Sequence, residues 1–222
     1  MSKAPLLIDR SSLARRRSRS KAGRGYFLHQ EAISDLQDRL QMITKPFTDI
    51  TIVTGHPAPW AEAFPTARIL PDDEVLNLLP NSNDLVIHAM SLHWANDPLG
   101  QMIQCRRALR PDGLFLASLL GGKTLNELRI ALAEAETIIR GGVSPRVLPM
   151  ADIRDLGALL SRADFNLPVA DSHKVHATYL NLNDLMHDLR SMGETNAQSA
   201  RSRQFTPHRM LQKAEEIYRD RF

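Results

Sequence analysis

Polar and aromatic side chains capable of chemistry follow one apolar run of the sequence. Residues 84–90 (DLVIHAM) are short, apolar and preceded by turn-forming residues, which predicts a buried β-strand. Ser91, His93, Trp94 and Asn96 come directly after it. In open α/β sheets ligands bind beyond the carboxyl ends of the strands, so this segment predicts a ligand site. The alternative is that Trp94 only packs against the end of the sheet.

Other reactive side chains favour ordinary structural roles. His56, His88 and His93 lack a metal-ligand spacing such as HxxxH, so we predict no metal site. His88 lies inside the predicted strand, which favours a hydrogen-bonded core histidine. The single cysteine, Cys105, falls within a predicted helix and has no designated base, so we expect no nucleophile there. One cysteine also allows no internal disulfide, which is typical of a reducing compartment.

The elements that must position these residues alternate between strands and helices. Runs typical of strands cover residues 49–54, 67–70, 84–90, 114–119 and 174–179. Helical periodicity covers residues 26–45, 58–64, 99–109, 123–139, 152–162, 183–192 and 207–219. This alternation predicts an α/β fold with a largely parallel sheet.

Composition predicts one globular domain preceded by a basic arm. The chain has 222 residues, of which 43% are hydrophobic, so it can bury a real core. No run approaches the roughly 18 apolar residues of a membrane span, so we predict no transmembrane segment. Residues 1–25 carry a charge of +7 and residues 26–222 carry −4. We therefore divide the chain into a basic N-terminal arm, 1–25, and a domain, 26–222.

The basic arm has three interpretations. An arginine- and serine-rich, acid-poor start is typical of an organellar transit peptide. The basic cluster is also suited to contact phosphates of nucleic acid or lipid. The third interpretation is a solvated arm or first helix that contributes little to the core. Because the domain is acidic and lacks interleaved aromatic residues, we predict no nucleic-acid partner.

Several segments resemble the class I S-adenosylmethionine-dependent methyltransferases. Within that class they resemble the family of the complex I assembly factor, which is related to the biotin-pathway malonyl-carrier methyltransferases. The matching segments are residues 91–97 (SLHWAND), 109–113 (LRPDG), 121–129 (GGKTLNELR), 141–145 (GGVSP), 155–160 (DLGALL) and 192–196 (MGETN). LRPDG is common among methyltransferases, whereas GGxTLxELR followed by GGxSP is specific. Arg15-Arg16-Arg17 leading into Phe27-Leu28 also resembles the family's start, which favours the third interpretation of the arm.

The resemblance implies a Rossmann-like class I methyltransferase fold that binds S-adenosylmethionine. The residues it implies for the cofactor are Gly55, Asp72, Asp73, His88 and Ser91. The residues it implies for a substrate or partner are His93, Trp94, Asn96, Thr124 and Arg129. Asp72 and Asp73 have a second interpretation, as acids that cap a following helix. No catalytic residue is identified, and methyl transfer requires chiefly proximity and alignment.

The resemblance also implies a partner and a compartment. Relatives modify an arginine of an iron–sulfur subunit during assembly of respiratory complex I, a hydroxylation despite the methyltransferase fold. We therefore expect a protein substrate, an iron–sulfur subunit of complex I being the first candidate. The expected location is cytoplasmic, with the mitochondrial matrix as the alternative.

The first half of the chain departs from the family's pattern. Where the first strand should end in an acid and a glycine-rich turn, Val53 replaces the acid and Gly55 is the one remaining glycine. Pro57 and Pro59 remove two amide donors. Only 34 residue steps separate Ile50 from Asp84, so a helix, a strand and a second helix are largely deleted.

The far end of the chain also departs from the family. We expect the sheet to lack the last strand, the one that would pair with residues 174–179. Two functions remain open. One is an S-adenosylmethionine-dependent enzyme acting on a protein in complex I assembly, and the other is a non-catalytic scaffold that has lost the cofactor.

Overall fold

A parallel sheet of four strands lies in the first half of the chain in the computed structural model, which describes residues 6–20 and 26–222. The strands are β1 (Ile50–Thr54), β2 (Arg68–Leu70), β3 (Asn83–Ala89) and β4 (Leu109–Ser118), in the order β2-β1-β3-β4. Each neighbouring pair is parallel. The prediction of an α/β fold with a mostly parallel sheet is confirmed.

The helices of the described residues are α1 (Arg10–Arg17), α2 (Phe27–Gln41), α3 (Pro57–Ala63), α4 (Pro98–Ala108), α5 (Asn126–Arg140), α6 (Ile153–Arg162), α7 (Leu182–Ser191) and α8 (His208–Arg221). Of these, α2, α3 and α4 cover the two faces of the sheet. One face of the sheet packs against α2 and α3 through the buried residues Ile33, Ile52, Trp60, Leu85 and Ile87. The other face packs against α4 through Val53, Val86, Cys105 and Leu109. Alternate residues of each strand thus enter opposite layers of the core.

Side-chain caps fix several helix starts. Asp97 accepts a hydrogen bond from the Gly100 amide at 2.8 Å at the start of α4, and Pro98 occupies the first turn. Asp152 and Asn181 cap α6 and α7 in the same way. Gly141, with a φ of 71°, ends α5, as its glycine pair predicts.

The chain divides into two compact units. The sheet unit comprises residues 26–122 and 151–172 and contains β1–β4, α2–α4 and α6. The helical unit comprises residues 1–25, of which 6–20 are described, together with 123–150 and 173–222. In the helical unit α5 packs against α8, and both bury apolar residues.

The described part of the basic arm is a folded piece of the helical unit. Asp9 caps α1 by accepting from the Ser12 amide at 2.9 Å. Ile8 and Leu13 have no exposed surface, and Ile8 forms an antiparallel bridge with Gln198. The interpretation as a first helix is confirmed for Arg10–Arg17. The expectation that the arm contributes little to the core is wrong for residues 6–20, because apolar side chains precede and interrupt its arginines.

One predicted strand is absent. Residues 174–179 have no regular secondary structure, and all of them except the half-buried Tyr179 are exposed. Their alternating polarity predicted a strand, but a strand needs a neighbour to accept its backbone hydrogen bonds. Beyond β4 the described residues contain no further strand, so no described partner exists for this segment.

The start of β4 also differs from the prediction. Leu109 already pairs with Asn83, and Leu114 pairs with Leu85, so residues 110–113 bulge out of register between them. Asp112 in this bulge has a φ of 61°. The strand therefore begins five residues earlier than the predicted residue 114.

The shortened first half is confirmed. Between β1 and β3 the described chain has one helix, α3, and one three-residue strand, β2. Val53 of β1 lies opposite Leu70 of β2, so β2 is the direct neighbour of β1. The short crossover therefore brings the acidic segment that follows β2 next to the end of β1.

Candidate functional site

The carboxyl ends of the strands bring the predicted cofactor residues of the sheet unit to one edge. Thr54 lies opposite Ala89, and Ala89 lies opposite Ser118, so these three strands end at the same level. Gly55 follows β1, Asp72 follows β2, and Ser91 follows β3. In parallel sheets this edge is where ligands bind, so we refer to it as the carboxyl edge.

A buried hydrogen-bond network joins β3 to α4 at this edge. His88 is fully buried, and its Nε2 lies 2.8 Å from Gln101 Oε1. Gln101 Nε2 donates to the Asp73 carbonyl at 3.0 Å, which fixes the amide so that Oε1 faces the histidine. His88 Nε2 therefore donates and its Nδ1 accepts from the Ser91 hydroxyl at 3.4 Å. This is the geometry of a hydrogen-bonded core histidine, and a cofactor contact by His88 stays a prediction.

Gln101 belongs to this network, although the sequence pattern did not predict it as a site residue. It is 1% exposed although it is polar, and it links His88 to the backbone after β2. Its position in the first turns of the helix that follows β3 was the available signal. A polar residue on the sheet-facing side of such a helix needs a partner.

The acidic segment after β2 is held by side chains from α4 and the β3 loop. Asp72 is 4% exposed, while Asp73 and Glu74 are exposed. Gln104 Oε1 accepts from the Leu76 amide at 2.7 Å, and Asn96 Nδ2 donates to Glu74 Oε1 at 2.9 Å. Residues 75–79 form no helix, so the interpretation of these acids as helix caps is wrong.

Bulky rings are buried directly behind the first strand. His56 is 3% exposed, and its amide donates to Thr54 Oγ1 at 3.2 Å. Trp60 is fully buried, and its Nε1 donates to His29 Nδ1 at 3.1 Å. The His29 and His56 ring centroids lie 5.0 Å apart. Rings from α2, from the loop after β1 and from α3 therefore pack against one another next to the end of β1.

This first-strand loop does not fit S-adenosylmethionine in the manner of the fold class. The cofactor's carboxylate and sugar require backbone amides at close approach, which glycines permit. Here α3 starts with Pro57 and Pro59, which carry no amide hydrogen, and β1 ends in Val53-Thr54 without a carboxylate. The one feature that fits is Asp72, a buried carboxylate at the end of the strand adjoining β1.

The loop after β3 is mostly packed. Leu92–Trp94 form a 3₁₀ turn in which Trp94 is 2% exposed and His93 is half-buried. The two rings lie 5.7 Å apart. This burial favours the packing interpretation of Trp94, and it leaves His93 and Asn96 as the side chains with access to a partner.

Thr124 and Arg129 lie in the helical unit. Thr124 occupies the turn before α5, and Arg129 Nη2 donates to the Leu148 carbonyl at 2.9 Å. The structure therefore gives Arg129 a bond within its own unit, and the predicted partner role of both residues stays a prediction.

Two segments that carry the family resemblance meet in the helical unit. Asn196 Nδ2 donates to the Pro145 carbonyl at 2.8 Å, which joins 192–196 to 141–145. Glu136 is 2% exposed and accepts from Ser144 Oγ at 2.9 Å and from Arg146 Nη2 at 2.7 Å. The Arg146 guanidinium, opposed in part by burial, lowers the pKa of Glu136 to about 2. These motif residues build the framework of the unit, a role the sequence analysis did not assign to Glu136 or Arg146.

Metal and thiol chemistry find no support in the described residues. Within 6–20 and 26–222 no three histidine, cysteine or acidic side chains are grouped as metal ligands. Cys105 is fully buried, and burial raises the pKa of its thiol to about 12. The thiol therefore stays protonated near neutral pH. In the same described ranges, no helix is both long enough and apolar enough to cross a membrane.

Known proteins share sequence with this chain. Residues 59–117 match the family described as "Methyltransferase domain". "Arginine-hydroxylase NDUFAF5, mitochondrial" of Homo sapiens is 40% identical over 160 residues, 72% of this chain and 46% of that protein. The Mus musculus protein of the same name is 44% identical over 133 residues, 60% of this chain and 39% of that protein.

Bacterial methyltransferases match as well. "Malonyl-[acyl-carrier protein] O-methyltransferase" of Laribacter hongkongensis is 34% identical over 152 residues, 68% of this chain and 49% of that protein. The chain thus spans about half the length, or less, of these curated relatives. Together with the parallel sheet, these matches show that the chain has a methyltransferase-type α/β fold and is homologous to the arginine-hydroxylases and to the malonyl-carrier methyltransferases.

Proposed function

We propose that this chain is a methyltransferase-fold binding protein that holds a protein partner in complex I assembly and no longer binds S-adenosylmethionine. The observation that carries the proposal is the loop after β1, where His56 and Trp60 are buried at the place of the glycine turn. The amides that should contact the cofactor belong to a helix that starts with prolines, and the buried rings hold this loop against the core.

The partner side of the proposal rests on relatedness and exposure. The matched relatives include arginine-hydroxylases, and the family resemblance implies an iron–sulfur subunit of complex I as their target. On this chain the accessible polar side chains of the carboxyl edge include those of Asp73, Glu74, His93 and Asn96. We assign partner contact to this edge. The location printed for these relatives makes the mitochondrial matrix the first compartment to test, ahead of the cytoplasm.

A second candidate is the S-adenosylmethionine-dependent enzyme acting on the same protein substrate. Asp72 favours it, because this buried carboxylate follows the strand adjoining β1, where a carboxylate can accept hydrogen bonds from ribose hydroxyls. Ser91 at the end of β3 is a further polar group at the same edge. The two candidates differ in whether the cofactor binds at all.

Isothermal titration of the full chain with S-adenosylmethionine separates the two candidates. We expect no saturable binding up to about 1 mM. A dissociation constant in the micromolar range would overturn the scaffold proposal and restore the enzyme. In that event Asp72→Asn should weaken binding at least about tenfold, since it removes the charged acceptor.

Partner capture is tested separately with the purified iron–sulfur subunit in a pull-down. His93→Ala combined with Asn96→Ala should weaken capture, because both side chains reach solvent at the carboxyl edge. Arg154→Ala, an exposed change on α6, is the control and should leave capture unchanged. Equal capture by all three proteins would show that the carboxyl edge is not the docking face.

A further inference from the structure

A cavity in the helical unit is lined almost entirely by arginines. Its volume is about 260 Å³, and its lining consists of Ser12, Arg15, Arg16, Arg19 and Arg201. We call the cavity that these five residues line the arginine cavity. A water molecule's share of liquid volume is about 30 Å³, so the cavity has room for a polyatomic anion and its hydration.

Helix periodicity explains why these side chains meet. Positions 12, 15, 16 and 19 are three or four residues apart, which places them on one side of α1 and its C-terminal turn. Arg201 arrives from the segment that pairs with the chain start, where Ser199 donates to the Leu7 carbonyl at 2.8 Å. Two remote parts of the sequence thus supply one cavity.

Two of the arginines are held in place before any ligand arrives. Arg201 donates from Nη2 to Asp9 Oδ2 at 2.9 Å and from Nη1 to the Gln198 carbonyl at 2.6 Å, and its side chain is 9% exposed. Arg16 Nη1 donates to Thr195 Oγ1 at 3.0 Å. Arg15 and Arg19 are exposed at the rim. Arg16 and Arg201 are therefore held by hydrogen bonds at the base of the cavity. The long, exposed side chains of Arg15 and Arg19 can close over an anion.

The arginines of the cavity repel one another. Burial first, and then repulsion by Arg201, Arg15 and Arg19, lowers the pKa of the Arg16 guanidinium. Attraction to Asp9 opposes this effect only in part. The Nε of Arg16 is buried and has no hydrogen-bond partner among the described residues. The cavity therefore brings four guanidinium groups together and has one buried donor, Arg16 Nε, still available.

We propose that the arginine cavity binds a phosphate group, carried either on a soluble molecule or on a lipid headgroup. A phosphate monoester bears a charge of about −1.5 to −2 and three acceptor oxygens, which suits several guanidinium forks at once. A carboxylate, with one charge and two oxygens, is satisfied by a single arginine. The described residues of the lining include no aromatic side chain on which a base can stack, so a single phosphate fits better than a nucleic-acid strand.

Titration of the full chain with inorganic pyrophosphate at constant ionic strength tests this proposal. Constant ionic strength matters because salt screens exposed charges. Arg15→Gln with Arg19→Gln removes two rim charges and leaves the bonds of Arg16 and Arg201 in place. We expect saturable binding that weakens at least about tenfold in this double variant. Arg154→Gln with Arg162→Gln is the matched control, since it removes the same charge from exposed arginines of α6, outside the cavity.

A second arm distinguishes the two sources of phosphate. Phosphatidylcholine vesicles with and without phosphatidic acid are tested by co-sedimentation with the same variants. Pyrophosphate binding that requires Arg15 and Arg19 supports a soluble ligand, and vesicle binding alone with that requirement supports a lipid headgroup. Three outcomes overturn the proposal: no binding in either arm, equal weakening in the two double variants, or binding only to a long nucleic acid.

Discussion

At the scale of single residues, Glu136 is a buried charged group whose substitution should lower the free energy of unfolding. Its carboxylate is buried on α5 and accepts hydrogen bonds from Ser144 and Arg146. Glu136→Gln would leave Arg146 without its counter-charge, and breaking such a pair from one side costs about 3 kcal/mol. Glu134→Gln is the control on the same helix, because Glu134 pairs with Arg221 at the surface, where a pair contributes about 0–1 kcal/mol. Urea unfolding of the three proteins measures the difference.

The same carboxylate predicts a dependence of stability on pH. The folded-state pKa of Glu136, about 2, lies below the ordinary glutamate value of 4.5. Its stabilisation is therefore complete above about pH 4.5 and is lost as the pH falls toward 2. The free energy of unfolding should fall more steeply between about pH 5 and pH 3 in the unaltered chain than in Glu136→Gln. Parallel slopes would show that another group controls acid stability.

Trp94 gives a residue-scale test of packing against recognition. Because its indole is 2% exposed, Trp94→Ala should lower the free energy of unfolding by about 3–5 kcal/mol. His93→Ala, at the half-buried neighbour, should cost about 1 kcal/mol or less. Thermal and urea unfolding check both values. If the two variants are equally stable, Trp94 is not part of the core and the packing interpretation is wrong.

At the scale of elements, periodicity and punctuation in the sequence predicted most of what forms. The strand Asn83–Ala89 and the helix Ile153–Arg162 lie within one residue of the predicted 84–90 and 152–162, because apolar spacing and an Asp cap are local signals. The strand predicted at residues 174–179 does not form. A strand needs a neighbouring strand, and the sequence pattern of one strand does not show whether that neighbour exists.

The candidate site was predictable at the level of position and less so at the level of contacts. Strand ends placed Gly55, Asp72 and Ser91 at one edge. The hydrogen bond between Gln101 and His88 joins residues 13 positions apart, and the one between Trp60 and His29 joins residues 31 positions apart. Both depend on how the side chains are oriented. Sequence spacing does not determine such orientation, so these features needed the structure.

At the scale of the whole molecule, the family resemblance has two different structural meanings. In the sheet unit the departures from the pattern fall on the loop after β1, where rings replace the glycine turn. In the helical unit the retained segments 141–145 and 192–196 bond to one another. Segments that resemble the family therefore hold a framework together, while the altered loop lies where a cofactor would bind. A scaffold derived from an enzyme fold would keep the framework segments and lose the cofactor loop.

At the scale of the helical unit, residues 7–9 pair with residues 197–199, and this contact predicts a stabilising role for the basic arm. The Asp9 amide donates to the Ala197 carbonyl at 2.9 Å. The preceding residue, Ile8, is fully buried. Ile8→Ala should lower the free energy of unfolding by about 2–5 kcal/mol, since it removes buried methyl groups and leaves a cavity. Leu6→Ala is the control two residues away, because Leu6 is 55% exposed and its truncation should change stability by about 0.5 kcal/mol or less. Urea unfolding gives both values, and limited proteolysis should cut Ile8→Ala faster near residue 198. Equal stability of the two variants would mean that the arm is attached to the unit without supporting it.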